Sequence, residues 1–127
     1  ATHFEPMTTV TGMMEKATGR PPYNPPERLI ELHKNGEFGN FRHPRLNDVP
    51  VALLYDLDTV GGSSGSPLMN ARGELVGVNF DRAYEATMND FAWSASYSRS
   101  IAVDIRYVLW VTEYVGGARS IVEEMGL

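Results

Sequence analysis

Apolar residues in this chain fall into short, dense runs separated by glycine, proline or polar residues. Four runs rich in β-branched and large aliphatic side chains predict strands: residues 49–56, 66–69, 74–80 and 101–103. The second and third runs are joined by residues 70–73, which end in Gly73, and glycine readily adopts the positive φ of a hairpin loop. The pattern therefore predicts a β-hairpin in a mainly β chain, and residues 7–11 also lean towards β structure.

Two segments instead repeat their apolar residues at helical spacing. The first runs from Pro26, which suits a first helical position, to a left-handed stop at Gly36. The second begins after Asp104, which suits a helix cap, and continues until Gly116. A further short helix is predicted over residues 118–125, so helices are expected at the C-terminal end.

A glycine- and serine-rich segment, residues 61–67, separates the first two predicted strands and reads Gly-Gly-Ser-Ser-Gly-Ser-Pro. A tight turn before Ser64 lets the amides of Gly62 and Ser64 converge on one point, as an oxyanion hole requires, and Gly65 leaves space for a substrate. A serine hydroxyl becomes a nucleophile once a base removes its proton. We therefore identify Ser64 as the candidate nucleophile and Gly62 as a donor to the oxyanion.

This segment has two other interpretations. Glycine and serine also form flexible linkers, but a strand before the segment and a hairpin after it are what a nucleophile loop needs and a linker does not. The segment also has the Gly-x-Ser-x-Gly form of an α/β-hydrolase elbow, with Ser63 as nucleophile. That elbow must open a helix, whereas Pro67 and a predicted hairpin follow here, so Ser64 remains the favoured nucleophile.

Composition narrows the class of protein. The 127 residues, of which 43% are hydrophobic, provide enough apolar surface for one packed core, so one domain over residues 1–127 is the default. A net charge of -5 with 11 scattered basic residues argues against a nucleic-acid partner. Cysteine is absent, which excludes a disulfide framework and a thiolate metal site, and no metal or other cofactor is expected. No apolar run approaches the roughly 18–20 residues that span a bilayer, so no membrane partner is expected.

Several segments around the serine loop together resemble one known family. They are residues 8–12, 59–67, 70–77, 79–82 and 100–110. On these segments the chain is similar to the bacterial serine dipeptidyl peptidases 7 and 11. The resemblance implies a chymotrypsin-type double β-barrel with a large helical insertion, in an enzyme that removes dipeptides from free N-termini. It also implies that this chain is the C-terminal part of the catalytic domain, namely the second β-barrel and C-terminal helices.

The resemblance also assigns site residues. The family's nucleophile position falls on Ser64, although Ser63 stands where the family pattern has Asn. Arg82 occupies the position at which acidic-specific members carry Arg, and a guanidinium can hold a carboxylate with two parallel hydrogen bonds. Asp81 occupies a position that faces the free amino group of the substrate. Because adjacent strand residues point to opposite faces, both can line one site only if the strand bends at residues 80–82.

The histidine and the acid of a catalytic triad are expected outside this chain, in the first barrel. The chain has three histidines, each with an ordinary structural explanation: His3, His33 and His43. Four aspartates are not triad acids by family position: Asp56, Asp58, Asp81 and Asp90. Asp58, six residues before Ser64, is interpreted as structural rather than as an acid that selects basic substrates. Without the histidine, the isolated chain is expected to be inactive.

The predicted function is thus the nucleophile-bearing part of a serine dipeptidyl aminopeptidase that prefers Asp or Glu before the cut. One alternative is a glutamyl endopeptidase-like barrel half, which would lack the family segments around Arg82 and Arg106. Another is a catalytically silent binding module. The resemblance implies peptide substrates with a free N-terminus, a first barrel and helical domain as partners, and a periplasmic or secreted location; it allows a homodimer of the intact enzyme.

Overall fold

The computed structural model describes residues 5–127 and divides into two compact units. The first unit holds Ala52–Ile105 and the segment that ends at Met7, and the second holds Thr8–Val51 and Arg106–Leu127. The strands are β1 (Met7–Thr9), β2 (Pro50–Tyr55), β3 (Pro67–Met69), β4 (Leu75–Arg82) and β5 (Ser100–Asp104). The helices are α1 (Val10–Glu15), α2 (Glu27–Asn35), α3 (Ile105–Trp110) and α4 (Arg119–Glu124), with a 3₁₀-helix at Tyr84–Asp90 and a π-helical turn at Val111–Val115.

The strands form one sheet in the order β1-β2-β5-β4-β3, in which β5 pairs antiparallel with β2 and β4, and β4 pairs antiparallel with β3. The four strands predicted from apolar runs are confirmed, and β4 continues beyond its predicted end to Arg82. The register of β4 against β5 shifts within this extension, since Asn79 pairs with Ala102 and Asp81 pairs with Ile101. Phe80 is therefore the extra residue of a β-bulge, which bends β4 at that point.

The β3–β4 hairpin is stabilised by the side chain of Asn70 in its loop. The Asn70 carbonyl oxygen, Oδ1, accepts hydrogen bonds from the amides of Arg72 at 2.9 Å and Glu74 at 3.1 Å. Gly73 has a φ of +76°, as the predicted loop requires. Hydrogen bonds from the side chains of Arg72 and, to a smaller extent, Asn70 lower the pKa of the Glu74 carboxyl. Glu74 therefore stays ionised and paired with Arg72 at neutral pH.

Close packing inside the sheet leaves no room for an added methyl group at Gly77 of β4. A Cβ there would lie 2.8 Å from the Val103 carbonyl oxygen and 3.2 Å from the Ala102 methyl group. Gly77→Ala is therefore expected to lower the free energy of unfolding by about 1–3 kcal/mol, the usual cost of overpacking. Gly12→Ala is the matched control, because its Cβ would meet only the Thr9 hydroxyl at 3.6 Å and alanine favours a helix. Guanidinium denaturation compares the two, and equal stabilities would contradict the prediction.

In the second unit, the β structure predicted over residues 7–11 is wrong beyond Thr9, where the chain turns into helix α1. The Thr9 hydroxyl caps this helix by accepting from the Gly12 amide at 3.2 Å. Two further contacts satisfy the first helical amides: Val10 donates to the Val49 carbonyl at 3.0 Å and Thr11 donates to the Asp48 carboxylate at 3.1 Å. Partners about 40 residues away, together with complete burial of Val10, override the β preference of this Thr-Val-Thr run.

The remaining helices lie close to their predicted positions. Helix α2 begins at Glu27, so Pro26 is its N-cap rather than its first helical residue, and it ends at the left-handed Gly36. Helix α3 begins at Ile105, directly after the buried Asp104, and continues into the π-helical turn. Its last residue, Trp110, is fully buried and donates its indole N–H to the Glu37 carbonyl at 2.9 Å. Over residues 5–127, no helix combines the length and the apolar character that crossing a membrane demands.

Candidate active site

Residues 56–66 connect β2 to β3 and carry the candidate nucleophile Ser64, so this segment is called the nucleophile loop. Two glycines shape it. Gly62 and Gly65 have φ values of +95° and +87°, a region of backbone conformation that residues with a Cβ rarely adopt. Between them, Ser63 closes a turn by donating its amide to the Val60 carbonyl at 3.1 Å, and its hydroxyl accepts the Val60 amide at 3.2 Å. A strand, not a helix, follows this loop, which excludes the α/β-hydrolase elbow and gives Ser63 a structural role.

Ser64 lies at the exposed tip of this loop. Its hydroxyl donates to the Phe80 carbonyl at 3.5 Å, the long end of the range for a hydrogen bond. Within residues 5–127, no hydrogen bond engages the amide of Gly62 or of Ser64. These two donors and the weakly held hydroxyl are therefore available to a bound molecule.

Ser64 lines an open cleft within the first unit. The cleft is lined by the two sides of the nucleophile loop and the end of β4: Thr59, Val60, Gly61, Gly62, Ser64, Asn79, Phe80, Asp81 and Arg82. The bulge at Phe80 places Arg82, which pairs with Ser100, on the same face of the sheet as Asn79, which pairs with Ala102. The Asp81 carboxylate accepts the Arg82 amide at 2.8 Å, which orients the acid relative to the strand. The residues that line the cleft thus include a serine, an aspartate and an arginine.

Beneath the cleft lies a polar contact that sequence reasoning missed. Asn79 is only 5% exposed, and its Nδ2 donates to the Ser63 carbonyl at 3.1 Å. Its Oδ1 accepts a hydrogen bond from the Tyr55 hydroxyl. The sequence signal that could have revealed this contact is a single asparagine inside the apolar run of β4. Residues two positions apart in a strand share a face of the sheet, and a polar side chain buried on such a face needs a hydrogen-bond partner.

The Tyr55 hydroxyl belongs to a wider buried network under the loop. Burial raises the pKa of Tyr55, and a hydrogen bond with Ser100 opposes this by lowering it. Ser100 is fully buried, and its hydroxyl contacts the Thr59 hydroxyl and the Leu57 carbonyl, the latter at 3.1 Å. The segment that leads into the nucleophile loop is therefore tied to the central strand β5.

Among residues 5–127, no histidine lines the cleft. In the second unit, His33 contacts the Thr11 hydroxyl at 3.1 Å and packs edge-on against Phe38. His43 accepts the amides of Arg45 and Leu46 with its Nδ1, at 3.2 and 3.3 Å. These contacts agree with the structural roles expected of both residues, and His3 lies outside the described residues.

The carboxylates give the same picture. Asp58 is exposed and absent from the residues that line the cleft, and its structural role stays a prediction. Asp56 is likewise exposed and does not line the cleft. Asp81 does line the cleft, but no histidine is among the lining residues. In the part of the chain that the structure describes, no cluster of three or more His, Cys, Asp or Glu side chains could hold a metal ion.

An exposed serine on a glycine turn, between strands of an antiparallel sheet and facing a charged cleft, is the arrangement typical of serine peptidases. Sequence comparison is consistent with that class. The chain belongs to the Peptidase S46 family, whose sequence model matches residues 1–127. The predicted family resemblance is therefore confirmed.

Individual relatives place the chain within this family. It is 41% identical to an Asp/Glu-specific dipeptidyl-peptidase of Porphyromonas gingivalis over 98% of this chain and 17% of the relative. It is 36% identical to an enzyme of the same description from Shewanella putrefaciens, over 100% of this chain and 20% of the relative. It is also 39% identical to dipeptidyl-peptidase 7 of Phocaeicola vulgatus, over 97% and 17% of the two chains. The chain thus spans about a fifth of the length of these relatives.

Solved structures agree with the sequence comparison. The crystal structure of DPP11 from Porphyromonas endodontalis in complex with the dipeptide Arg-Asp matches 98% of this chain and 18% of its own chain, with a TM-score of 0.92 at 34% identity. The same protein in complex with the dipeptide Arg-Glu matches with a TM-score of 0.93. The sheet and short helices described above therefore correspond to one part of a dipeptidyl peptidase.

Proposed function

We propose that this chain is the nucleophile-bearing part of a serine dipeptidyl peptidase that prefers Asp or Glu at the residue before the cut. The observation that carries the proposal is the cleft itself, because Ser64, Asp81 and Arg82 all line it. Asp81 pairs with Ile101 and Arg82 with Ser100, so their side chains leave opposite faces of β4, and both residues line the cleft at the end of this strand. Hydroxyl, carboxylate and guanidinium match the three parts of such a substrate: the scissile carbonyl, the free amino group and the acidic side chain.

In this proposal Ser64 attacks the carbonyl carbon of the second residue of the peptide. Its hydroxyl proton passes to a histidine from the first barrel, outside this chain, and an acyl-enzyme forms as the peptide amine leaves. The amides of Gly62 and Ser64, which no described residue engages, are placed to donate to the oxyanion of the tetrahedral intermediate. Water then hydrolyses the ester and releases the dipeptide.

Substrate selection is assigned to the end of β4. Arg82 is partly buried in the cleft, where its guanidinium can pair with the carboxylate of an Asp or Glu side chain through two parallel hydrogen bonds. The Asp81 carboxylate, oriented by the Arg82 amide, is proposed to accept the free amino group of the substrate. The description of several relatives as Asp/Glu-specific supports this assignment.

The intact enzyme is proposed to complete this site from the four fifths of its length that lie outside the region matched here. The five-stranded sheet would form the second barrel of a chymotrypsin-type pair, joined by a first barrel and a helical domain. A periplasmic or secreted location and a homodimer are further parts of this proposal. The match to one family over residues 1–127 favours it over a glutamyl endopeptidase-like barrel.

The test uses the intact enzyme and matched peptides whose second residue is Asp, Glu or Leu. Each peptide is prepared with a free N-terminus and with an acetylated one. We expect dipeptide release from the free peptides, fastest after Asp or Glu, and strongly reduced release from acetylated ones because acetylation removes the charge that pairs with Asp81. Chromatographic detection of the released dipeptide measures both effects. Cleavage of acetylated peptides after an internal Glu would instead indicate a glutamyl endopeptidase, and binding without cleavage would indicate a silent module.

A further inference from the structure

Asn79 contacts the nucleophile loop on both sides of Ser64. Before Ser64, its side-chain Nδ2 donates to the Ser63 carbonyl at 3.1 Å. After Ser64, its backbone carbonyl accepts the Gly65 amide at 2.8 Å, and its backbone amide donates to the Ser66 carbonyl at 2.9 Å. One residue of β4 therefore fixes three of the four residues from Ser63 to Ser66 and leaves only Ser64 projecting into the cleft.

We infer that Asn79 is a positioning residue that sets the location of the Ser64 hydroxyl and amide for attack. This inference rests on the proposed role of Ser64 as the nucleophile. The two backbone contacts are available to any residue at this position, whereas the contact with the Ser63 carbonyl requires a side-chain donor of this length. The hydrogen bond to the Ser63 carbonyl is therefore the one contact that depends on the side-chain amide of Asn79.

The loop needs such a support because its own backbone is permissive. Gly62 and Gly65 flank Ser63 and Ser64 with positive φ values, and glycine has a wide choice of backbone conformations. Ser63 and Ser64 share a peptide unit, so a shift of the Ser63 carbonyl also moves the Ser64 amide. An external hydrogen bond to that carbonyl holds the candidate oxyanion donor and the nucleophile in register.

The Tyr55 hydroxyl determines which way the Asn79 amide faces. It donates to Oδ1, and since an amide presents an acceptor on one side and donors on the other, Nδ2 is then directed at the Ser63 carbonyl. Burial raises the pKa of Tyr55, so the hydroxyl keeps its proton and remains a donor over the neutral pH range. The buried Asn79 side chain, 5% exposed, has both ends satisfied by this arrangement.

The experiment is Asn79→Asp in the intact enzyme. The variant keeps the size of the side chain and an acceptor for Tyr55, but it turns the donor towards Ser63 into a carboxylate oxygen, which repels the Ser63 carbonyl. We expect kcat to fall about 100-fold, the effect of displacing a reacting group by roughly 1 Å, while KM changes little because Asp81 and Arg82 are intact. The rate at which a fluorophosphonate labels Ser64 is expected to fall in parallel with kcat.

Two further variants make the result decisive. Asn47→Asp adds the same charge at an exposed loop residue, whose side chain accepts a hydrogen bond from Arg42 at 3.2 Å, and it is expected to keep wild-type kcat. Tyr55→Phe removes the hydroxyl that orients Asn79 without adding charge, and it is expected to lower kcat to a smaller extent with KM unchanged. It serves as the test if Asn79→Asp does not fold.

Wild-type kcat and labelling rate in both Asn79→Asp and Tyr55→Phe, even with lower thermal stability, would show a purely structural role and overturn the inference. A raised KM at constant kcat would also overturn it, because positioning of the nucleophile acts on the chemical step. Full activity of Ser64→Ala would overturn the proposed nucleophile itself, and the inference with it. Loss of activity in Ser64→Ala together with wild-type kcat in the other two variants would remove the inference alone.

Discussion

Replacing Ser64 by Ala in the intact enzyme is expected to lower kcat by about 10⁶-fold, the loss seen when the nucleophile of a serine peptidase is removed. The remaining activity would come from the oxyanion donors and from substrate binding, which do not need the hydroxyl. KM is expected to change little, since the cleft residues Asp81 and Arg82 stay in place. Single-turnover release of dipeptide, with active-site labelling by a fluorophosphonate, measures the loss.

Ser63→Ala is the matched control for this prediction. Ser63 is the adjacent serine, and its hydroxyl accepts the Val60 amide at 3.2 Å within the loop. Its removal is expected to reduce activity far less than removal of the Ser64 hydroxyl, and labelling should persist. The opposite order of effects would move the nucleophile to Ser63 and contradict the proposed mechanism.

Replacing Arg82 by Gly is expected to reverse the preference for acidic substrates. Breaking a desolvated charge pair costs on the order of 2–5 kcal/mol, so kcat/KM for substrates with Asp or Glu before the cut should fall roughly 30- to 5,000-fold. Substrates with Leu at that residue should lose little or gain, because glycine opens space and removes a partly buried charge. Measurement of kcat/KM for matched Asp, Glu and Leu dipeptidyl substrates gives the ratio directly.

Two controls separate recognition by Arg82 from a general effect of charge. Arg72→Gly removes the same charge from the exposed hairpin, where Arg72 pairs with Glu74 at 2.7 Å, and is expected to leave the Asp-to-Leu ratio unchanged. Arg82→Lys keeps the charge but loses the planar fork, so it should retain only part of the acidic preference. An unchanged Asp-to-Leu ratio in Arg82→Gly would show that Arg82 does not select the substrate.

Sequence patterns were sufficient to predict those elements whose conformation is determined by residues close together in the chain. The β3–β4 hairpin follows from two apolar runs and a loop in which Asn70 and Gly73 have the chemistry of a turn. The end of α2 follows from Gly36, whose left-handed conformation stops the helix. The start of α3 at Ile105 was likewise predicted from the helical spacing after Asp104.

Prediction from the sequence failed where contacts with residues distant in the chain determine the local conformation. Residues 10–15 form α1 although the Thr-Val-Thr run favours β structure, because Asp48 and Val49 accept the first helical amides. The 3₁₀-helix at Tyr84–Asp90 was also not predicted, since this polar and aromatic stretch has no clear period. In both cases intrinsic preference is worth a few tenths of a kcal/mol per residue, which packing and hydrogen bonding exceed.

The sequence by itself determined the candidate chemistry: a serine in a glycine loop between strands, an aspartate and an arginine at the end of the next long strand, and a resemblance that joined them to one family. Only the tertiary structure decided that these groups share a cleft. The bulge at Phe80 depends on how β4 pairs with β5, and the support of Ser64 by Asn79 depends on a hydrogen bond across 16 residues. Register and buried polar contacts arise between segments that meet only after folding, so no local pattern encodes them.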